Sequence, residues 1–321
     1  MKLLAVLAFL ILAPVALHAE KLTLAHVAIN PGQGLFWIAR DAGILTKYGF
    51  TADVVLIPGS PRTVQALMAG DLDYIVAGSA AILRARMQGA EIAMLASPSA
   101  YSSQRVLVKP DSILGGLKDI KGKIVGVTQF GSAGDTFLRT ALKKTGMKEA
   151  DVTVLQMGGT PGVTQALEAG RIEVGVLGES GMLLVFQNKA RQLKGASARE
   201  LGISGLDGPL TTTERKLKRD RAGVVRFVQA YIEAIHYLKT NKAGTVRILQ
   251  KYMRGLSDPQ VGAWVDDVKE NLEAAPYPDD AGLRSELEQV NAPKSQSAAY
   301  FVDRSVLDEI KKSGFMDRLY K

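Results

Sequence analysis

The sequence predicts an α/β protein of two similar lobes, each a mostly parallel sheet flanked by helices, with a ligand cleft between them. Two observations carry this expectation. One twenty-residue unit occurs twice: Gly59–Gly78 reads GSPRTVQALMAGDLDYIVAG and Gly159–Gly178 reads GTPGVTQALEAGRIEVGVLG, identical at nine positions. Around each copy, apolar β-rich runs alternate with helix-like segments, the pattern of strands joined by helical crossovers. Two copies are too few for a stacked array, which needs about three units; they suit two lobes.

Each copy reads as one physical unit. Ser60 or Thr160 stands where an N-cap belongs, with proline following at the first helical position, where its missing N–H costs nothing. A short helix ends at Gly70 or Gly170, the residue type that accepts a left-handed stop. Leu72–Ala77 or Ile172–Leu177 then forms a strand that ends on glycine.

Residues 1–19 read as a secretory signal peptide, with Lys2, an apolar run of ten from Leu3 to Leu12, Pro14, and cleavage expected after Ala19. That run is too short to span a bilayer. The expected product is therefore an exported, periplasmic protein. A first lobe is expected over residues 20–100, a second over 101–200, and a return to the first lobe with helices over 201–321.

Leu22–Ile29 opens the first lobe as a strand and runs into Asn30-Pro31-Gly32-Gln33-Gly34, a turn. Leu35–Ala42 has helical character and stops at Gly43. Ala52–Ile57 is a second strand, followed by the first repeat copy, a helix over Ala80–Gln88 capped by Ser79, and a strand over Glu91–Ala96. Polar Ser97–Gln104 suits a crossing. Arg105–Lys109 and Ile124–Thr128 are strands of the second lobe. The latter ends on Gln129–Asp135, where Ser132 and Asp135 have capping-box spacing before a helix to about Lys144. Val152–Gln156 leads into the second copy, and Met182–Ala190 reads as a helix. Gln192–Thr213 reads as irregular, with the return crossing inside it. The tail is helical over Gly223–Thr240, Val246–Met253, Pro259–Leu272, Gly282–Val290 and Val302–Lys312. Val224, Phe227, Val228, Tyr231, Ile235 and Leu238 mark a packed face.

Composition narrows the chemistry. With no cysteine, disulfides, thiolate metal sites and thiol nucleophiles are excluded. The net charge of +8 is concentrated in Lys189–Arg199 and Glu214–Arg221, where aromatic residues are not interleaved as single-strand nucleic-acid binding requires. Solvated surface is expected there, and no nucleic-acid partner. HExxH, GxSxG and Walker A motifs are absent, and His26 and His236 fit structural roles in a strand and a helix. No catalytic residue, metal or cofactor is expected.

Ligands bind beyond the carboxyl ends of strands in open parallel sheets. That rule gathers the loops Asn30–Gly34, Pro58–Ser60, Gly78–Ser79, Gln129–Gly134, Gly158–Thr160 and Glu179–Ser180, most of them preceding a helix N-terminus. The candidate ligand-binding residues are Asn30, Gln33, Gly34, Gly78, Ser79, Phe130, Gly131, Ser132, Asp135 and Glu179. Phe36, Trp37, Tyr101 and Phe130 are candidates for an aromatic wall. Together they suit a small polar or anionic molecule, although Asp135 is taken up in capping. Glu179, if it faces the cleft, favours a ligand with a cationic or donor group.

Several segments resemble periplasmic substrate-binding proteins of ABC importers, in the group that includes sulfonate, taurine, nitrate and thiamine-pyrimidine-precursor binders. They are Ala39–Leu45 (ARDAGIL), Gln65–Asp73 (QALMAGDLD), Asp119–Val127 (DIKGKIVGV), Gln165–Glu173 (QALEAGRIE), Phe301-Val302-Asp303 and Ser313-Gly314-Phe315. The resemblance implies a type II periplasmic binding fold that closes on a small-molecule ligand and docks, as a monomer, on an ABC permease. It also implies ligand contacts at Asn30–Gly34, Gly78–Ser79 and Phe130–Asp135. The chain departs from sulfonate binders, which carry tryptophan where Gly178-Glu179-Ser180 stands. It also lacks the cysteine-rich motif of the thiamine-pyrimidine synthases that share the fold.

Overall fold

The computed structural model describes residues 19–293 and 295–321; the expected signal peptide, apart from Ala19, lies outside the described residues. Among these residues, ten strands form two five-stranded sheets. The first contains β1 (Glu20–His26), β2 (Phe50–Leu56), β3 (Tyr74–Val76), β4 (Ile92–Ala96) and β10 (Leu210–Thr213), in the order β2-β1-β3-β10-β4. The second contains β5 (Arg105–Val108), β6 (Ile124–Val127), β7 (Thr153–Gln156), β8 (Val174–Leu177) and β9 (Arg191–Ser197), in the order β7-β6-β8-β5-β9.

The two orders match position by position, and the match shows how the lobes are joined. In each sheet the first three strands run parallel, while the fourth position is antiparallel to both neighbours: β10 between β3 and β4, β5 between β8 and β9. Those two strands each arrive from the other lobe. A strand entering from the cleft must run away from it, whereas β1, β3, β6 and β8 run towards it. The sheets are therefore mixed but mostly parallel, as expected: four strands of each run one way and only the fourth position runs against them.

The same crossing explains an element missing from the sequence reading. Gln192–Thr213 reads as irregular, yet it holds most of β9 and all of β10. β9 (RQLKGAS) buries only Leu193 and Ala196, and β10 is four residues long, so neither has the apolar pattern of a strand. Their partners, not their composition, make them strands.

Alternation puts side chains on both faces of each sheet. Leu22, Leu24, Tyr74 and Val76 join the larger core, and Ala25, Ile75, Ile92 and Met94 face a second one. In the other lobe, Val106, Val125, Val127 and Val176 lie on one face and Leu107 and Leu177 on the other. The helix Arg221–Thr240 carries the expected apolar face into the first lobe's core, where Phe227 stacks on Tyr74 with ring centroids 3.7 Å apart.

Within the repeat, the glycine stops hold: Gly70 and Gly170 have φ of 90° and 68°, a conformation that glycine reaches without a Cβ clash. The hydroxyl caps do not. Both helices start one residue earlier than the cap reading requires, at Ser60 and Thr160, and neither side chain caps. Ser60 Oγ instead accepts a hydrogen bond from Gly78 N at 2.9 Å, tying the start of its helix to the end of β3. Ser79 likewise begins the helix Ser79–Met87 without capping it. Short helices over Ile44–Lys47, Glu214–Arg219 and Phe315–Leu319 were not anticipated. The basic stretch around the second of these is laced into ion pairs, Arg86 with Glu214 and Lys216 with Asp73 among them.

Candidate functional site

A cavity of about 370 Å³ lies at the junction of the two lobes, within the range of small-molecule sites. Its wall draws on every part of the chain that meets there. Ala28, Asn30, Gly32 and Gln33 come from the loop after β1, and Glu179 and Ser180 from the loop after β8. Ser99, the run Tyr101 to Gln104, and Asp207-Gly208 belong to the crossings. Arg105 begins β5; Asp267 and Val268 lie at the end of the helix Asp258–Lys269, and Glu270, Asn271 and Leu272 follow it.

Local hydrogen bonds set the first loop. Asn30 Oδ1 accepts from Gln33 N at 2.8 Å, and Gln33 Oε1 accepts from Val27 N and Ala28 N at 2.9 and 3.0 Å. Folded in this way, the loop presents Gly32 N to the opposite lobe, where Glu179 Oε1 accepts it at 3.2 Å. A Cβ at Gly32 would lie 2.9 Å from Glu179 Oε2, so glycine is what allows this approach.

Glu179 is 8% exposed. Burial, reinforced by the nearby Asp207 carboxylate, pushes its carboxyl up to about 8, against the opposing pull of Gly32 N–H and Arg105. Asp207 is raised to about 6 by desolvation, partly offset by the Ser103 hydroxyl and Arg105. Arg105, 5% exposed, is held by Asp267 at 3.1 Å, by Gln192 Oε1 at 3.4 Å and by the Ser103 carbonyl at 3.3 Å.

Of the ten candidate residues, the structure brings Asn30, Gln33 and Glu179 to the cavity wall. The other seven lie elsewhere. Gly34 is packed beneath the loop, where a Cβ would meet Leu249 at 2.6 Å. Gly78 is tied to Ser60, and Ser79 is buried against the carboxyl of Glu286, which burial pushes up against the opposing pull of the Ser79 hydroxyl and Leu206 N–H. Phe130 is 56% exposed, its N–H bonded to Gln156. Ser132 caps the helix Ala133–Lys144 by accepting from Asp135 N, and Asp135 accepts from Gly131 N at 2.8 Å while pairing with Arg139. Of the aromatic candidates, Tyr101 lines the cavity, whereas Phe36 and Trp37 are core. His26 is buried against the Trp37 edge, its Nδ1 2.8 Å from the Ala28 carbonyl, and burial lowers its pKa.

Arg105, Asp207, Asp267 and Gln104 were missed by the sequence reading. Arg105 left one signal, a charge opening an otherwise apolar strand (RVLV) right after a polar crossing. Asp207 sits in an irregular stretch and Asp267 beside another aspartate on a helix; neither is distinguishable locally.

The chain belongs to the NMT1/THI5-like family, whose model matches residues 30–243. A binding protein of Brucella abortus is 36% identical over 132 residues, covering 41% of this chain and 40% of that protein, so the match spans about two fifths of that curated relative's length. Among solved structures, the periplasmic aliphatic sulphonate binding protein SsuA of Escherichia coli superimposes with a TM-score of 0.72 at 18% identity. The match covers 89% of this chain and 92% of that one. The alkanesulfonate-binding protein SsuA of Xanthomonas axonopodis, bound to MOPS, gives 0.67 at 22% identity, covering 89% and 98%. A mutant form of DSZB in complex with biphenyl-2-sulfinic acid gives 0.69 at 16%, covering 92% and 99%. At these identities the likeness is one of fold: the two-lobe type II periplasmic-binding architecture.

Proposed function

We propose that this protein is the extracytoplasmic solute-binding component of an ABC import system, capturing a small organic molecule between its lobes and handing it to a membrane permease. The observation that carries this reading is a junction cavity walled by both lobes and both crossings, with Glu179 of one lobe bonded across it to Gly32 of the other. A solute touching both walls stabilises the closed arrangement, because an open one makes only part of its contacts; capture then works as a population shift. The described residues contain no helix long and apolar enough to cross a membrane, and the signal peptide read over residues 1–19 supports export. The binding roles in the names of the Brucella relative and the two SsuA proteins point the same way.

The test is solution scattering together with isothermal titration of the purified protein. A bound solute is expected to reduce the radius of gyration and to bind with one-to-one stoichiometry. Stoichiometric binding with no compaction would sink the capture mechanism.

One observation favours a second reading. Glu179 and Asp207 are neighbouring carboxyls with raised proton affinity, a condition that acid–base catalysis also uses, and the fold is shared with the desulfurization enzyme DSZB. Chemical conversion of a bound solute during incubation, lost on Glu179→Gln, would establish an enzyme instead.

A further inference from the structure

The cavity wall is acidic in a protein that is basic overall. Five carboxylates line it, Glu179, Glu200, Asp207, Asp267 and Glu270, against two arginines and no lysine. Three of the five are accounted for. Asp267 is paired with Arg105. Glu200 is closed by Ser197 Oγ at 2.6 Å and by the N–H groups of Gly195 and Ser197. Glu270 is an exposed residue of the rim. That leaves Glu179, buried, with Oε1 on Gly32 N and Oε2 without a hydrogen-bond partner among the described residues, and the half-buried Asp207.

The positive side is committed. Arg105 is neutralised by Asp267, and Arg199 is an exposed residue that reaches the Glu270 carbonyl and Asn271 Oδ1. The remaining donors in the first loop, the side-chain amides of Asn30 and Gln33, are neutral. A bare anion entering here would meet one ion-paired arginine and two carboxyls that the Gly32 N–H, the Ser103 hydroxyl and Arg105 compensate only in part, whereas a cation favours the ionised form of both. A group with several N–H donors and a positive charge meets the reverse.

Resting on the solute-capture reading, we propose that the cavity selects a solute bearing a cationic nitrogen group, an ammonium or amidinium seated between Glu179 and Asp207. It rejects bare anions such as sulfonates, carboxylates and nitrate. The neutral amides of Asn30 and Gln33 suit an uncharged acceptor elsewhere on the same solute. In its ligand class the chain thus parts from the sulfonate binders that share its fold.

The test is a thermal-shift and scattering panel at pH 7.5 with shape-matched probes: butylammonium, putrescine and benzamidinium against butanesulfonate, butyrate, benzoate and nitrate. At least one cation is expected to raise Tm and compact the protein, and no anion to do either. Glu179→Gln and Asp207→Asn are each expected to weaken the cation's binding at least tenfold while keeping the wild-type circular dichroism spectrum. Stabilisation and compaction by an anion would overturn the proposal while leaving solute capture standing. Absence of any response across both sets would overturn both. Unchanged cation affinity in the two variants would move the site away from these carboxylates.

Discussion

The two copies of the repeat end in corresponding places, at Gly78-Ser79 and Gly178-Glu179, and the structure treats them oppositely. The second ending faces the junction cavity, where Glu179 reaches Gly32 of the other lobe. The first is closed off. Gly78 N is bonded to Ser60, and Ser79 is buried beside Glu286 on the helix Asp280–Gln289. The difference comes from the tail. Residues beyond β10 return to the first lobe, where the helix Asp280–Gln289 covers its lip; at the second lobe the tail's helix Asp258–Lys269 instead holds Arg105 through Asp267 and leaves Glu179 on the cavity wall. Local similarity put two loops at equivalent ends of equivalent sheets; the C-terminal helices decided which one meets the cavity.

The comparison breaks most decisively at the level of binding. Glu179→Ala is expected to lower affinity for the best cation of the probe panel by roughly 10- to 100-fold, on the order of 1.5–3 kcal/mol for a charged hydrogen bond. Ser79→Ala is expected to leave that affinity within a factor of about two, a change of roughly 0.4 kcal/mol. Isothermal titration that found equal losses would mean both lips touch the solute.

At the covered lip the effect is on stability. Glu286→Ala strips the partner from the Ser79 hydroxyl and Leu206 N–H, at a cost of about 1–3 kcal/mol in denaturant unfolding, with cavity affinity unchanged. A loss of affinity without a loss of stability would contradict the division of roles.

The open lip also has a pH signature. A carboxyl whose folded-state pKa is raised binds its proton more tightly when folded. Stability therefore declines as pH climbs from the unfolded value of about 4.3 towards the folded value, and levels off above it. For Glu179 the folded value is about 8; Asp207 adds a decline of the same sign up to about 6. Glu179→Gln is expected to melt about 2–5 °C above wild type at pH 8, corresponding to roughly 1–2 kcal/mol, with the gap closing towards pH 5. Parallel Tm curves for the two proteins would show that Glu179 ionises normally in the fold.

The smallest effect separates the two helix starts. Ser60→Ala removes the bond to Gly78 N, an exposed contact expected to contribute about 0.5–1 kcal/mol. Thr160→Ala removes no cap bond and should stay within about 0.5 kcal/mol of wild type. Equal losses in both would restore the capping role that the sequence suggests.

The sequence by itself determined the units and their two-fold use. The repeat, with its glycine stops at Gly70 and Gly170, the strands β1 to β8, and the apolar face of the long helix from Val224 to Leu238 all rest on local rules: a left-handed stop needs glycine, and burial needs a period. Asn30, Gln33 and Glu179 were within reach because they follow strands that run towards the cleft. What only the tertiary structure decided is which partners those loops find. β10 and β9 are strands because a neighbour offers them a ladder. Ser60 and Ser79 abandon their caps because Gly78 and Glu286 lie close by in space. Arg105, Asp207 and Asp267 become one site because two crossings and a C-terminal helix converge, although they stand up to 162 residues apart. Period and turn chemistry are properties of neighbours along the chain, whereas the charge balance of a cavity is a property of neighbours across it.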